Sequence, residues 1–242
     1  MNYAETFNCK WEKIDLNDKL EHDYAAMEAA IRPDTKLMFV CNPNNPTGTL
    51  VDPEFVHKFC ERVSEKVTIY ADEAYLEYLP KEHQRSVVDL VKSGKNIIVS
   101  RTFSKVYGLA GLRLGYIIAK PELIQKVQRY SGDIPINQTA LAAGRASLGD
   151  EKFIQSTREQ NQKARAVLTD YLDKKGIFYG KSHTNFVFFE SPADGKTVMN
   201  RLKDQGYLIR IWNFKGKDWC RVSIGTVDDM QGFVKAFSSS FS

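Results

Sequence analysis

The sequence predicts an α/β fold followed by a smaller α+β unit. Short apolar runs at residues 36–41, 67–71 and 96–100 alternate with segments of helical periodicity. These runs break into polar loops, and strand ends are where open α/β sheets bind ligands. After Gly176 the pattern changes to four closely spaced strands with two helices. The change in grammar places a domain boundary near Gly149, dividing the chain into 1–149 and 150–242.

Along the chain, Tyr3, Phe7 and Trp11 have weak helical spacing, so residues 1–9 read as the tail of a helix. Residues 11–16 alternate and are predicted as a strand. Asp23 can cap a helix over Tyr24, Met27, Ala30 and Ile31. The strand at 36–41 runs into Asn42-Pro43-Asn44-Asn45-Pro46-Thr47-Gly48. Two prolines fix this backbone and exclude helix. Asn45 therefore sits on a rigid mount, and its amide can be aimed; a plain Asn-Pro turn is the alternative.

Asp52-Pro53 is an N-cap followed by proline at N1. The strand at 67–71 ends in Asp72-Glu73-Ala74-Tyr75. An acidic residue there is either a helix cap or a site residue. Glu73 reads as a surface or capping carboxylate. A short helix at 86–92 precedes the strand at 96–100, and another strand is predicted over 113–119. The connection between these two is too short for an ordinary crossover helix, so they are not expected to be parallel neighbours. Helices follow from Pro121, from Asn137 and over 150–175, the last ended by Gly176. Beyond it, strands are predicted at 177–179, 186–190, 208–211 and 219–224, and helices at 195–205 and 227–237.

The chemistry concentrates in Val99-Ser100-Arg101-Thr102-Phe103-Ser104-Lys105, which continues into Ala110-Gly111-Leu112-Arg113. A lysine at the end of a buried strand can be desolvated, which lowers its pKa and makes its amine nucleophilic toward carbonyls. The hydroxyls of Thr102 and Ser104, the nearby glycines and Arg113 can together hold a phosphate. A reactive amine beside a phosphate site is what pyridoxal 5'-phosphate needs. The alternative is a solvated lysine in a glycine-rich turn. Arg221 lies in an apolar strand, where a buried guanidinium needs an anion. Arg210 could share that site, and a structural ion pair is again the alternative.

With these motifs in order, the chain resembles fold-type I pyridoxal-phosphate enzymes of aminotransferase class I/II, and within them histidinol-phosphate aminotransferases. The resemblance rests on Asn-Pro-Asn-Asn-Pro-Thr-Gly, Asp-Glu-Ala-Tyr and Arg-Thr-Phe-Ser-Lys followed by Ala-Gly-Leu-Arg. It implies a three-layer α/β/α large domain with one antiparallel strand, plus the small domain. It implies that Lys105 holds the cofactor as a Schiff base and moves the proton. Asp72 would pair with the pyridine nitrogen, while Asn45 and Tyr75 contact the phenolic oxygen. Thr102, Ser104 and Arg113 would hold the phosphate, and Arg221 with Arg210 the substrate's carboxylate or phosphate. Asn185 matches a subfamily asparagine without an assigned role. The implied reaction moves an amino group from histidinol phosphate to 2-oxoglutarate in a cytoplasmic homodimer. Threonine-phosphate decarboxylases resemble the same subfamily, so decarboxylation stays open, as does a remnant that only binds cofactor or a partner subunit. Relatives carry an N-terminal part with a glycine-serine phosphate segment and a ring-stacking aromatic. No such segment is found here, and Tyr3 falls just after the aromatic's position, so the chain reads as N-terminally truncated.

Composition narrows the classes. Of 242 residues, 43% are hydrophobic and 26% charged, as in ordinary globular proteins. A net charge of +4 without a basic cluster gives no nucleic-acid footprint. No apolar run reaches membrane-spanning length. Cys9, Cys41, Cys60 and Cys220 lack metal-ligand spacing and read as reduced thiols.

Overall fold

The computed structural model describes residues 3–131 and 135–241, with side chains from residue 5 onward. Met1, Asn2 and the side chain of Tyr3 lie outside the described residues. A single helical turn, α1 (Tyr3–Thr6), comes first. The first sheet then builds from β1 (Leu37–Cys41), β2 (Thr68–Asp72), β3 (Ile97–Thr102) and β4 (Gly115–Ala119). Their spatial order is β1-β2-β3-β4. The first three strands are parallel, and β4 runs antiparallel to β3. This agrees with the short connection between them.

Helices α2 (Tyr24–Ala29), α3 (Pro53–Val63) and α4 (Val88–Lys92) pack against this sheet. Phe59, Cys60 and Val63 of α3 meet Ile69, Ile97 and Val99 in one core. The cap residues act as their chemistry predicts: Asp23 accepts from Ala26 N at 2.9 Å, and Asp52 accepts from Glu54 N at 3.2 Å. Helix α5 (Pro121–Gln128) follows β4, and α6 (Gln138–Ser147) is capped by Asn137. Helix α7 (Glu151–Lys175) ends at Gly176, whose φ of 64° is the left-handed cap conformation.

The second sheet has the order β5-β7-β6, all antiparallel, from β5 (Phe186–Glu190), β6 (Arg210–Phe214) and β7 (Lys217–Ser223). Helices α8 (Gly195–Asp204) and α9 (Val227–Phe241), with the later turns of α7, cover it and bury Leu168, Leu172 and Phe237.

Three predicted strands are corrected. Residues 11–16 form no strand; only Leu16 bridges His22, because the alternating run has no continuous neighbour. Residues 177–179 reduce to one bridge from Tyr179 to Phe189. The strand placed at 208–211 begins at Arg210 and runs to Phe214. Lys215 and Gly216 form the turn into β7, both at positive φ (50° and 73°), and this tight hairpin sets the register.

Candidate active site

The parallel strands deliver their C-terminal ends to one edge, and most of the chemistry-bearing residues gather there. Asp72 closes β2, with Cys41 of β1 and Ser100 of β3 as its register partners. Its Oδ1 accepts from Ala74 N at 3.0 Å, closing a local turn after the strand. Burial pushes its carboxyl above the ordinary value, opposed by Ala74 N–H, the Ser100 hydroxyl and Lys105. The following helical turn, residues 76–78, starts from Tyr75 without a side-chain cap, so the expected capping role of Asp72 is not observed.

Lys105 lies in the loop after β3. Its Nζ stands 5.5 Å from the centre of the Tyr75 ring. Burial lowers its pKa, and the Arg221 and Arg113 charges lower it further, against the pull of Asp72. The effect is a larger fraction of free amine near neutrality. Tyr75 is buried and its hydroxyl is pushed up to about 12, chiefly by burial, so it stays a donor.

Asp72, Ser100, Thr102, Ser104 and Arg113 line one cavity of about 290 Å³. Thr102 also shapes its own turn, since its hydroxyl accepts from Ser104 N at 3.0 Å. Arg113 adopts left-handed φ (52°) and spends one N–H on Ala110 O at 2.8 Å; the rest of the guanidinium is exposed.

Asn45 lies at the exposed tip of a heavily bonded loop. Asn44 donates to Thr47 Oγ1 at 2.7 Å, Thr47 and Thr49 share a 2.8 Å bond, and Thr49 donates to Leu20 O. Asn42 bonds Val51 through both its amide groups. The rigid mount predicted from the prolines is thus built largely from side-chain hydrogen bonds, and the Asn45 amide makes none of them.

Arg221 sits on β7 with its guanidinium 3.7 Å from the centre of the Phe186 ring. Its buried Nε has no hydrogen-bond partner. Burial lowers its pKa, and nearby Arg210 adds to this, while Tyr75 opposes it. Arg210 is its register partner on β6 and is exposed. Asn185 contributes a main-chain carbonyl that accepts from Ile224 N at 2.8 Å.

Glu73 is corrected. It is buried, accepting from Ser86 Oγ, from Val87 N at 2.9 Å and from Arg101 Nη2 at 2.8 Å. Ser100 was not singled out, although Ser100, Thr102 and Ser104 alternate with period two, and all three line the cavity.

The residues fit pyridoxal 5'-phosphate on structural grounds. Hydroxyls and an arginine suit a phosphate, a lysine of lowered pKa suits an aldehyde, and a half-buried carboxylate suits a pyridine nitrogen. The orphaned Arg221 Nε suits a second, exchangeable anion. Among the described residues no group of three or more His, Cys, Asp or Glu is placed to hold a metal.

Comparison with known proteins agrees with the geometry. The family described as aminotransferase class I and II matches residues 2–237. A histidinol-phosphate aminotransferase of Moorella thermoacetica is 40% identical over 217 residues, which are 89% of this chain and 56% of that protein. The chain therefore spans little more than half the length of that relative. A solved protein from Erwinia carotovora atroseptica superposes with a TM-score of 0.91 at 30% identity, covering 98% of this chain and 69% of its own. A Sinorhizobium meliloti histidinol-phosphate aminotransferase, solved in complex with pyridoxal-5'-phosphate, gives 0.87 at 24% identity over 99% and 66%, a likeness of fold alone.

Proposed function

From the premise that the chain belongs to the aminotransferase class I and II family, we propose that it binds pyridoxal 5'-phosphate at the ends of β2 and β3. There it transfers an amino group from histidinol phosphate to 2-oxoglutarate. The observation that carries this is the setting of Lys105: an amine of lowered pKa beside Tyr75, with Asp72, Arg113 and Arg221 around it.

Bound there, the cofactor supplies an aldehyde for amine exchange and a ring that takes up electron density. Asp72 would face the ring nitrogen and, as a carboxylate, favour its protonated form. Asn45 and Tyr75 donate to the phenolic oxygen. Ser104, Thr102 and Arg113 hold the phosphate. Lys105 Nζ would take the proton from the donor's Cα and hold it for return during the exchange. Arg221 grips the donor's anionic end, helped by Arg210, and fixes which bond is broken. The reading takes the partners to be a second copy of the chain, the donor and a 2-oxo acid, and the compartment to be the cytoplasm. No helix among the described residues is long and apolar enough to cross a membrane.

The test is spectroscopic and then kinetic. Added cofactor should give a visible absorbance band that borohydride removes and that Lys105→Ala lacks. Amine loss from histidinol phosphate should depend on the 2-oxo acid. Carbon dioxide release from threonine phosphate without an acceptor would replace transfer by decarboxylation. No band at any cofactor concentration would leave only the partner-binding remnant.

A further inference from the structure

A second cavity, of about 610 Å³, lies between residues 78–83 and the first half of α7. It shares no residue with the site above. Two arginines of α7, Arg158 and Arg165, line it seven residues apart, hence on one helix face. Each spends a single reported bond on a main-chain carbonyl: Arg158 Nη1 on Leu79 O at 2.9 Å, and Arg165 Nη1 on Thr184 O at 2.8 Å. A guanidinium carries five N–H donors, so most of theirs remain free. Among the described residues, neither arginine forms an ion pair with a carboxylate. Both are half-buried, and burial lowers the Arg165 pKa with nothing opposing it. A cation kept in that state costs solvation that an anion would restore.

The walls reinforce this. His83 and His183 face the same space. Burial, with the charges of Arg165, Lys181 and His83, pushes His183 down to about 4. Glu82 and Glu159 also line the cleft, but both are exposed, and Glu159 accepts from Gln155 at 3.0 Å. Lys81 is already paired with Glu151 at 2.9 Å.

We propose that this cleft is a second anion site, for a small ligand with two negative charges, either a phosphate monoester or a dicarboxylate, gripped by Arg158 and Arg165. Such a ligand would tie α7 to residues 78–83. Tyr78 lines the cleft, and its ring centre is 6.4 Å from that of Tyr75, so occupancy would reach the candidate active site by one aromatic contact.

The four histidines provide local reporters: His83 and His183 in the cleft, His57 bonded to Asp89 away from it, and His22. Their imidazole proton signals are followed by NMR while inorganic phosphate, and separately succinate, is added at constant ionic strength. The expected result is saturable movement of the His83 and His183 signals, with His57 unmoved. Arg165→Gln and Arg158→Gln should each weaken the midpoint about tenfold, the value of one charge-assisted hydrogen bond. Arg113→Ala should leave it unchanged, which separates this site from the cofactor reading. Tighter phosphate marks a phosphate monoester, and tighter succinate a dicarboxylate. Linear, unsaturating shifts with both probes overturn the proposal, as does a midpoint unchanged in both arginine variants. If Arg165→Gln fails to fold, Arg158→Gln decides alone.

Discussion

Arg101 and Arg221 are both half-buried arginines on sheet strands, and they occupy opposite electrostatic situations. Arg101 donates to the Glu73 carboxylate through Nη2 at 2.8 Å and Nε at 3.0 Å and to Ser86 Oγ at 2.9 Å, with Glu77 3.9 Å away. The Glu73 side chain is only 7% exposed, so the pair is enclosed. Arg221 has the Phe186 ring on one face, Arg210 across the strand and an Nε bonded to nothing. A paired guanidinium is complete within the chain and belongs to its structure. One with an unpartnered buried N–H retains a donor that an external anion would satisfy, which is why the proposed reading assigns Arg221 to the substrate. The loop residues Asn44 and Asn45 differ in placement: the first is buried and bonded to Thr47, and the second is exposed.

The largest expected effect lies on the incomplete side. Lys105→Ala should lower turnover by at least about 10³-fold, because proton transfer by a positioned amine is lost. Stability should change by no more than about 0.5 kcal/mol, since the amine makes no reported hydrogen bond. Lys105→Arg should fail equally, as a guanidinium stays protonated. Single-turnover kinetics after dialysis against free amines measures this, and retained turnover in either variant would remove Lys105 from the chemistry.

Next come the two arginine neighbourhoods, tested in opposite directions. Glu73→Ala should cost about 3 kcal/mol in urea unfolding, the low end for breaking a buried pair, because Arg101 is 21% exposed. Arg221→Met should cost less stability, since it breaks no carboxylate pair and loses only the Phe186 and Tyr75 contacts. It should instead lose about 2–5 kcal/mol of donor binding while the cofactor band is unchanged. Histidinol phosphate and histidinol are then compared in both forms. A wild type indifferent to the phosphate would exclude histidinol phosphate as the donor. Arg221→Met that unfolds like Glu73→Ala would make the two arginines equivalent and undo the contrast.

The sequence exposed the incomplete residues more readily than the complete ones. Asp72 and Lys105 stand out because each follows an apolar run that strand burial explains. Arg221 stands out because a charge interrupts such a run. Glu73 was misread because its partner Arg101 lies 28 positions away, and only the parallel register of β2 and β3 brings them together. The strand placed at 208–211 slipped for a related reason. Leu208, inside the predicted strand, is 82% exposed, since the Lys215-Gly216 turn, not local hydrophobicity, fixes where β6 starts. The second cavity was invisible for the same reason, because it joins α7 to a segment some 80 positions earlier.

The smallest effect concerns Asp72, where the two conditions meet in one group. Its folded pKa is raised above 3.8, mainly by burial. Between the unfolded and folded values the native state holds more protons than the unfolded state. The stability this gives is fully present below the unfolded pKa and is lost as pH rises through the folded one. Above the folded pKa the ionised, half-buried carboxylate is therefore a burden on the cofactor-free chain. Asp72→Asn removes the charge and keeps an oxygen that can accept from Ala74 N. Without cofactor, the variant should have a higher urea midpoint than wild type at pH 7, and the difference should shrink on acidification toward pH 4. With cofactor the order should reverse, because only the carboxylate can share a proton with a ring nitrogen. A variant that is less stable than wild type at pH 7 with and without cofactor would make Asp72 a complete residue like Glu73, satisfied by its bond from Ala74 N and owing nothing to a ligand.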